Sequence, residues 1–486
     1  MKRLLVSLSR IVISALTLFA ISGTAGVSAQ SPGNTGSNIE GTWQGVVKFG
    51  GVELRVVFNI SREPSGALKA TLDSPDQGAT GIVVDDVIFD GSNVRLGIQS
   101  VAGSFEGKFR GDGSAIEGNW SQGGVTIPLT LERSEKKPEV KRPQEPKKPY
   151  PYREEEVSYK NENAGITLAG TLTLPEGKGP FPAVILITGS GPQDRDETVF
   201  GHRPFLVLAD YLTRHGIAVL RVDDRGVGSS TGSFSQATSE SSASDVLAGI
   251  KYLKSRNEVN QKKIGLIGHS EGGIIAPMVA VQSKDIAFIV LMAGTGLTGE
   301  QILYLQGALI AKANGASDEE IAENRALQER MFTVLKQEKD DAVASKKLRE
   351  IMLEALKTMT DDEKKAFGHS EAAIDPQLRQ LMSPWFRTFL TYDPKPALMK
   401  VKCPVLAING EKDLQVPPDE NLAAIKDALV AGRNKHYSIR ELEGLNHLFQ
   451  PSQTGTPLEY GKIEETMSPT ALKMIADWIQ EKTQRK

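Results

Sequence analysis

Two patterns of hydrophobic and polar positions divide this chain of 486 residues. From about Ile39 to Arg133, short segments alternate between apolar and polar residues, and turn sequences such as PSG, DGS and GDGS separate them. This alternation predicts antiparallel β-strands. After Glu155, continuous apolar runs alternate with segments whose apolar residues recur at helical spacing. The second pattern predicts an α/β fold, with a mostly parallel sheet and helices between its strands.

The α/β region can be followed strand by strand. The run AVILIT at 183–188 has the length and composition of a strand buried on both faces, and a helical pattern after it stops at Gly216. The strand IAVLRV follows, and a further helix leads to the run IGLIGH. Between AFIVLMAG and CPVLAIN, a Glu- and Lys-rich helical stretch interrupts the order. We predict that this insertion, at about 298–395, is a helical lid that shapes the substrate pocket.

The N-terminus carries a predicted targeting segment. Basic residues precede an apolar stretch at 11–21, and Val27-Ser28-Ala29 offers a small-x-small cleavage pattern. We therefore expect residues 1–29 to be a signal peptide and the mature protein to be periplasmic or secreted. The apolar stretch is short for a membrane span, and we expect no transmembrane segment after cleavage.

Residues 134–152 differ in composition from the regions on either side. They are rich in proline and in both signs of charge, so they cannot bury a core of their own. We predict an extended linker with few contacts. It would join a small antiparallel β domain at 38–133 to a catalytic α/β-domain at 153–486.

The β domain contains a repeated tryptophan motif. GTWQG at Gly41 and IEGNW ending at Trp120 resemble each other, and the first resembles the opening of a small lipocalin-like barrel or β-sandwich. Such a module binds glycans or lipids in one interpretation. In the other it is a spacer or folding domain whose tryptophans only fill a core.

Composition excludes several classes of function. The chain has 57 basic and 60 acidic residues, so no bulk positive field favours nucleic acid. No fingerprint for a dinucleotide or a metal stands out, and we expect no cofactor. Cys403 is the only cysteine, which rules out an intramolecular disulfide and favours a buried, inert thiol.

The sequence KKIGLIGHSEGGIIAPM predicts a nucleophile elbow at Ser270, a sharp turn between a strand and a helix. Gly268 and Gly272 stand where a Cβ would collide across such a turn. The amide of Glu271, at the start of the helix, would then be one donor of an oxyanion hole. The pattern G-x-S-x-G occurs again around Ser230, but polar, turn-rich sequence surrounds that serine and no apolar helix follows it.

A serine nucleophile needs a base and an acid, and both occur late in the chain. Asp413 follows the strand CPVLAIN, and His447 lies on the glycine-containing turn EGLNH. The order serine, aspartate, histidine is the order of α/β-hydrolases. His436 is the main alternative base, and the alternative acids are Glu411 and Asp419.

The second oxyanion donor is expected on a glycine-rich turn after an inner strand. The turn GSGPQDRD follows AVILIT in this position. We assign the role to the amide of Ser190, with Gly189 as the alternative. A turn that needs its glycines only for positive φ is the competing interpretation.

These motifs together resemble the α/β-hydrolase superfamily, in particular exported bacterial esterases related to its prolyl oligopeptidase and dienelactone hydrolase branches. GHSEGG, GSGPQDRD, DDRGVGSS, GEKDLQVP and GLNHLF carry the resemblance, which runs from about Glu155 to the C-terminus. It implies an eight-stranded, mostly parallel sheet and acyl-enzyme chemistry. Thr188 departs from the pattern, because many relatives have histidine before the glycine turn.

The resemblance implies that Ser270 attacks the substrate, His447 transfers the proton and Asp413 orients the imidazole. The amides of Glu271 and Ser190 would hold the oxyanion. We therefore predict a serine esterase that acts on a small-molecule carboxylic ester. A serine peptidase or acyltransferase with the same triad is one alternative, and a glycan- or lipid-binding protein with an idle hydrolase domain is another.

Overall fold

The structure, a computed structural model, describes residues 39–49, 52–77, 79–101, 103–122, 125–135, 141–359 and 371–484. The predicted signal peptide lies outside these residues. The described strands form two sheets, one in each predicted domain.

The N-terminal domain is one nine-stranded antiparallel sheet, so of the two predicted forms the structure has the barrel-like one. Numbered β1 to β9, its strands are Gly41–Phe49, Val52–Arg62, Leu68–Ser74, Ala79–Val84, Asp86–Phe89, Asn93–Ile98, Gly103–Phe109, Ala115–Gln122 and Val125–Ser134. The sheet is nearly closed, because its first and last strands in spatial order, β4 and β5, are consecutive in the chain and separated only by Asp85.

Aromatic side chains fill the interior of this barrel-like sheet. Trp43 and Trp120, the residues of the repeated motif, are both buried and belong to one hydrophobic cluster. The ring of Phe58 lies between Phe105 and Trp120, with centroid distances of 6.2 and 6.3 Å. Alternate residues of each strand point inward, which explains the period-two pattern in the sequence.

The second sheet has eight strands. Numbered β10 to β17 in chain order, they are Arg153–Asn161, Ile166–Leu174, Phe181–Ile187, Ala218–Val222, Val259–His269, Ile286–Met292, Val405–Gly410 and Tyr437–Leu442. Their order in the sheet is β10-β11-β13-β12-β14-β15-β16-β17. The pairings of β10 with β11 and of β11 with β13 are antiparallel, and all the later pairings are parallel.

The helices of the second domain cover both faces of this sheet. In strand β12, Val184 and Leu186 belong to the hydrophobic cluster on one face of the sheet and Ile185 to the cluster on the other. Because both faces of β12 are buried, its sequence is apolar without interruption. The helices α1 to α12 are Pro204–Arg214, Ser239–Lys254, Gly272–Gln282, Gly299–Ala313, Asp318–Gln337, Asp341–Thr358, Glu371–Leu381, Pro384–Thr391, Lys395–Leu398, Pro418–Ala431, Pro457–Tyr460 and Pro469–Gln484. None of the helices in the described ranges has the length and apolar character of a membrane span.

Helices α4 to α9 form an insertion between β15 and β16. Two of them begin at capping boxes that are visible in the sequence. Thr298 Oγ1 accepts a hydrogen bond from the amide of Gln301, and the hydroxyl of Ser317 accepts one from the amide of Glu320. These side chains satisfy amides that the first helical turn leaves free, and so define where each helix starts.

The expectation that the linker makes few contacts is wrong for its described part, 141–152. Arg142 donates hydrogen bonds to carbonyl oxygens of two loops of the α/β-domain. Gln144 binds the backbone just before the last helix, and the Tyr152 hydroxyl donates to a carboxylate of α1. A proline- and charge-rich composition shows that a segment cannot form a core, but its long polar side chains still bind the backbone of a neighbouring domain.

The β domain also contacts the α/β-domain directly. A Cβ placed on Gly461 would lie only 2.2 Å from the carbonyl oxygen of Asp76, so the two backbones meet at this point. Arg55 binds the carboxylate of Asp76, with 2.6 Å between Nη2 and Oδ1. The 3-10 turn that carries Asp76 is therefore held in the geometry that meets Gly461.

Candidate active site

Ser270 lies at the tip of a sharp turn between β14 and α3. It has a φ of 53°, a conformation that is strained for a residue with a side chain. A Cβ on Gly268 would lie 2.0 Å from the carbonyl oxygen of Gly272, and a Cβ on Gly272 would lie 2.2 Å from that of Ile187. Both glycines are therefore required by the close approach of backbone segments at this turn.

Asp413 and His447 are joined by a hydrogen bond at the carboxyl edge of the sheet. His447 Nδ1 lies 2.7 Å from Asp413 Oδ2, and both side chains are buried. The second oxygen of Asp413 accepts hydrogen bonds from the amides of Gln415 and Val416, at 2.8 and 2.9 Å. The carboxylate is thus held in one orientation, with one oxygen on the backbone and the other on the imidazole.

The loop that carries His447 is fixed by its neighbour Asn446. The side-chain oxygen of Asn446 accepts hydrogen bonds from the amides of Leu448 and Gln450, both at 3.0 Å. The amide of Asn446 in turn donates to the carbonyl oxygen of Gln450. The turn is therefore closed by its own hydrogen bonds, which limits the positions open to the His447 ring.

Ser270 and His447 line the same cavity, together with Ser190 and Glu271. The cavity holds about 1050 Å³ of empty space, part of it open to solvent. Most of the remaining wall is apolar, and helices of the insertion supply a large share of it. The lining residues from the insertion are Ile302, Leu303, Gln306, Ile310, Trp385 and Phe389.

None of the alternative nucleophiles, bases and acids considered from the sequence, Ser230, His436, Glu411 and Asp419, lines this cavity. The Ser230 hydroxyl is buried, donates to the Asp223 carbonyl and accepts from the Ala169 amide. Glu411 accepts a hydrogen bond from the amide of Gly444, and His436 is exposed just before the edge strand β17. The remaining alternative acid, Asp419, lies in the first turn of α10.

The amide of Gly189, the alternative oxyanion donor, is already engaged. It donates to Glu197 Oε1 at 2.7 Å. Among the hydrogen bonds of the described ranges, none is donated by the backbone amide of Ser190 or of Glu271. The Thr188 hydroxyl donates to Asp224 Oδ1 at 2.9 Å, so this hydroxyl is already engaged and is not assigned as an oxyanion donor.

The side chain of Glu271 connects the elbow to the helical insertion. Its carboxylate accepts hydrogen bonds from Trp385 Nε1 at 2.9 and 2.8 Å and from the Ser239 hydroxyl at 2.6 Å. Burial raises the pKa of Glu271, and these donors oppose that effect. Nothing in the sequence pointed to Trp385 as the partner of this carboxylate.

Glu197 and His269 form a buried pair beneath the catalytic candidates. His269 Nδ1 lies 3.0 Å from Glu197 Oε1, and Nε2 lies 3.0 Å from the carbonyl oxygen of His447. Burial alone would lower the pKa of His269, but the Glu197 carboxylate outweighs it and the net shift is upward. Both partners of the ring are acceptors, so the protonated imidazole satisfies both contacts. Through this pair, the loop of His447 is tied to the turn of Gly189.

The DDRG turn, residues 223–226, takes part in a network of charged groups. Arg195 binds both oxygens of Asp223, with Nε–Oδ1 and Nη2–Oδ2 distances of 3.0 and 2.7 Å. The neighbouring Asp224 accepts from the Gln193 amide, and burial raises its pKa to about 8. These contacts hold the GSGPQDRD loop, and with it Ser190, against the sheet.

Two further sequence-based expectations concern other sites. Cys403 is partly buried, and burial raises the pKa of its thiol to about 12, which disfavours the reactive thiolate. In the part of the chain that the structure describes, no three His, Cys, Asp or Glu side chains are grouped so that they could hold a metal ion.

Comparisons with known proteins cover the α/β-domain. Residues 164–430, more than half of the chain, match the family model described as X-Pro dipeptidyl-peptidase (S15 family). Esterase EstD of Thermotoga maritima is 27% identical over 313 residues, which are 64% of this chain and 65% of EstD. The match thus spans less than two thirds of EstD. Esterase FrsA of Serratia proteamaculans is 41% identical over 81 residues, 16% of this chain and 18% of FrsA.

Solved structures similar to this chain include GrgF and Est1E. The alpha/beta hydrolase GrgF from Penicillium sp. sh18 is 18% identical, with a TM-score of 0.43, and the match covers 68% of this chain and 100% of GrgF. Est1E from Butyrivibrio proteoclasticus, solved with ferulic acid bound, is 18% identical with a TM-score of 0.38, covering 68% of this chain and 98% of Est1E.

Proposed function

We propose that this chain, which belongs to the X-Pro dipeptidyl-peptidase (S15) family, hydrolyses carboxylic esters with Ser270 as its nucleophile. The observation that carries the proposal is the shared cavity. The cavity wall includes both Ser270, which lies on a strained turn, and His447, whose Nδ1 is hydrogen-bonded to the buried Asp413. The esterase names of EstD and FrsA support an ester as the substrate.

In the proposed reaction, His447 Nε2 takes the proton of the Ser270 hydroxyl while the serine oxygen attacks the ester carbonyl. Asp413 keeps the Nδ1 proton of His447 facing its own Oδ2, so that Nε2 is free to accept. The protonated imidazole then gives its proton to the departing alcohol. Water, activated by the same histidine, hydrolyses the acyl-enzyme and regenerates Ser270.

The tetrahedral intermediate carries a negative charge on the former carbonyl oxygen. We assign its stabilisation to the amides of Glu271 and Ser190, since the amide of Gly189 is bound to Glu197. The Glu271 amide lies at the start of α3, where the first turn leaves amides free. Donors fixed before the reaction stabilise the developing charge without reorganisation.

The chemistry of the cavity wall favours a neutral substrate with an apolar group. Ile302, Leu303 and Phe389 of the insertion line it, together with Val416 and Leu448 from outside the insertion. The insertion at about 298–395 would act as the lid that covers such a substrate. We propose small, short-acyl esters as the substrate class.

A dipeptidyl-peptidase activity is the second candidate, and one observation favours it besides the family description. Glu197 lines the cavity, and its Oε2 is buried without a hydrogen-bond partner in the described part of the chain. A peptide ammonium is a group that such an oxygen would accept. Against this, the other oxygen of Glu197 already binds His269, so the carboxylate is charge-paired before any substrate arrives.

Labelling with a fluorophosphonate and a panel of chromogenic substrates tests the proposal. We expect labelling of Ser270 and faster turnover of p-nitrophenyl butyrate than of Gly-Pro-p-nitroanilide. Efficient cleavage of the anilide with weak ester turnover would move the protein to the peptidase candidate. Failure of both labelling and turnover would leave the idle-domain alternative, in which the β domain binds a glycan or lipid.

Export and the role of the β domain also belong to this proposal. The signal peptide at 1–29 would place the enzyme in the periplasm or outside the cell, where esters from the environment are accessible. The small β domain would hold a glycan or lipid surface near the catalytic domain. N-terminal sequencing of the mature protein and glycan or liposome pull-down with the full chain test these two points.

A further inference from the structure

The linker residue Arg142 is bound in a cage of backbone carbonyls. Its Nε donates to Gly201 O at 3.1 Å, and Nη2 donates to Phe200 O and Gly461 O, each at 3.0 Å. Its Nη1 donates to Ile463 O at 2.8 Å and to the carbonyl of Lys141 at 3.4 Å. The five N–H groups of the guanidinium thus all have carbonyl acceptors.

These carbonyls belong to two loops that are far apart in the chain. One loop, 199–203, is closed by reciprocal hydrogen bonds between the backbones of Val199 and His202. The other, 457–463, contains the short helix α11 and the residues that follow it. Arg142 reaches both from a third segment, so it joins parts of the chain that no continuous secondary structure connects.

Both loops contribute aromatic rings to the wall of the active-site cavity. Phe200 and Tyr460 line the cavity, and their rings meet edge to face with centroids 5.5 Å apart. Arg142 binds the carbonyl of Phe200 itself and that of Gly461, the residue next to Tyr460. Phe200 also has a φ of 50°, so its backbone conformation needs support from outside the loop.

Arg142 is suited to this task by its chemistry. The Arg142 side chain is half-buried, and this burial lowers its pKa. Its closest ligands are neutral carbonyl dipoles in a planar fork, an arrangement that an arginine spans and a lysine ammonium does not. The neighbouring Gln144 accepts from the amides of Thr466 and Met467 and donates to the carbonyl of Met467, which anchors the segment on the second side.

We propose that Arg142 is a positioning residue for substrate binding, which fixes the cavity wall formed by Phe200 and Tyr460. This inference rests on the proposed ester hydrolysis at Ser270. Substrates large enough to touch the two rings should depend on Arg142, while the smallest esters should not. The segment between the domains is, in this view, part of the active-site architecture.

The test compares full-length Arg142→Ala and Arg142→Lys with wild type, and Lys147→Ala serves as a matched control because Lys147 is exposed in the same segment. Active sites are titrated with a fluorophosphonate. KM and kcat are then measured with p-nitrophenyl acetate, p-nitrophenyl octanoate and 1-naphthyl acetate. For at least one of the two larger esters, KM should rise about tenfold in both Arg142 variants, the size of a lost apolar contact in a pocket. KM for p-nitrophenyl acetate and kcat per titrated site should change little.

Amide hydrogen exchange by mass spectrometry provides a readout that does not depend on activity. Peptides that cover 199–203 and 457–463 should exchange faster in the Arg142 variants than in Lys147→Ala, while peptides of the central strands should not change. Unchanged KM for all three esters, or unchanged exchange in both loops, would overturn the proposal. A fall in titrated sites with wild-type KM would also overturn it, because Arg142 would then support folding only. If wild type hydrolyses no ester, the proposed function fails, and the exchange experiment still decides whether Arg142 orders the loops.

Discussion

Replacement of Asp413 by asparagine tests the assignment of the acid. In the structure, Asp413 Oδ1 accepts two backbone amides at 2.8 and 2.9 Å, and Oδ2 faces His447 Nδ1 at 2.7 Å. An asparagine must keep its single carbonyl oxygen on the two amides, because its NH₂ group cannot accept from them. The NH₂ group then faces His447 Nδ1 and makes that nitrogen an acceptor.

The consequence is a change of imidazole tautomer. With Nδ1 as an acceptor, the ring proton moves to Nε2, the nitrogen that has to take the proton from Ser270. The geometry of the pair survives, but the base is blocked in its resting form. A loss in kcat on the order of ten thousandfold is expected for such a substitution in a serine triad.

The assay measures kcat and KM for p-nitrophenyl butyrate in wild type, Asp413→Asn and Glu411→Gln. Glu411 is a matched control because it lies two residues away and also accepts a backbone amide, that of Gly444. We expect Glu411→Gln to stay within about threefold of wild type, since the residue is outside the cavity. Thermal unfolding checks that each variant is folded. A folded Asp413→Asn enzyme within tenfold of the wild-type kcat would refute the assignment.

Three further perturbations follow from the contacts described. Ser270→Ala should abolish fluorophosphonate labelling and lower kcat for the ester on the order of a millionfold. Ser230→Ala should keep the activity but lower the free energy of unfolding by about 1–3 kcal/mol, because the Asp223 carbonyl and the Ala169 amide lose their hydrogen-bond partner. The opposite ranking of the two variants in kcat would show that Ser230 is the nucleophile. Trp385→Phe removes the indole donor from the buried Glu271 carboxylate, so KM should rise several-fold and the melting temperature should fall. An unchanged KM would show that other contacts hold the insertion against the elbow. Burial raises the pKa of Asp224 in the folded state to about 8 from the ordinary value of 3.8, so wild-type stability should fall as pH rises between these values. The melting temperature of Asp224→Asn, minus that of wild type, should therefore increase from pH 5 to pH 8. A constant difference would contradict the raised pKa.

Much of the α/β-domain is visible in the sequence because local rules and the fold agree there. Buried parallel strands are apolar without interruption, and the turn at Ser270 needs glycine on both sides, so GLIGHSEGG is recognisable by itself. Asp413 and His447 follow strand ends, which a parallel sheet brings to one edge. The hydrogen bond between them in the structure is a consequence of that topology.

Other features depend on contacts that no local pattern records. Glu197 lies in a loop with several acidic residues, and nothing in the sequence separates it from Asp194 or Asp196 as the partner of His269. The same holds for Trp385, whose hydrogen bond to Glu271 spans 114 positions of the chain. Arg142 looks like any basic residue of a solvated linker, because its acceptors are backbone carbonyls, which every sequence has.

The helical insertion closes on itself at its base. The amide of Gly299, its first helical residue, lies 3.4 Å from the carbonyl oxygen of Tyr392, near its end, and a Cβ on Gly299 would overlap the backbone of Phe389. Entry and exit therefore meet beside β15 and β16, whose own pairing is unbroken. An excursion with joined ends can lengthen, shorten or be exchanged in evolution at little cost to the sheet beneath it. Selection can thus reshape what the cavity admits while the groups that carry out the chemistry stay where the sheet holds them.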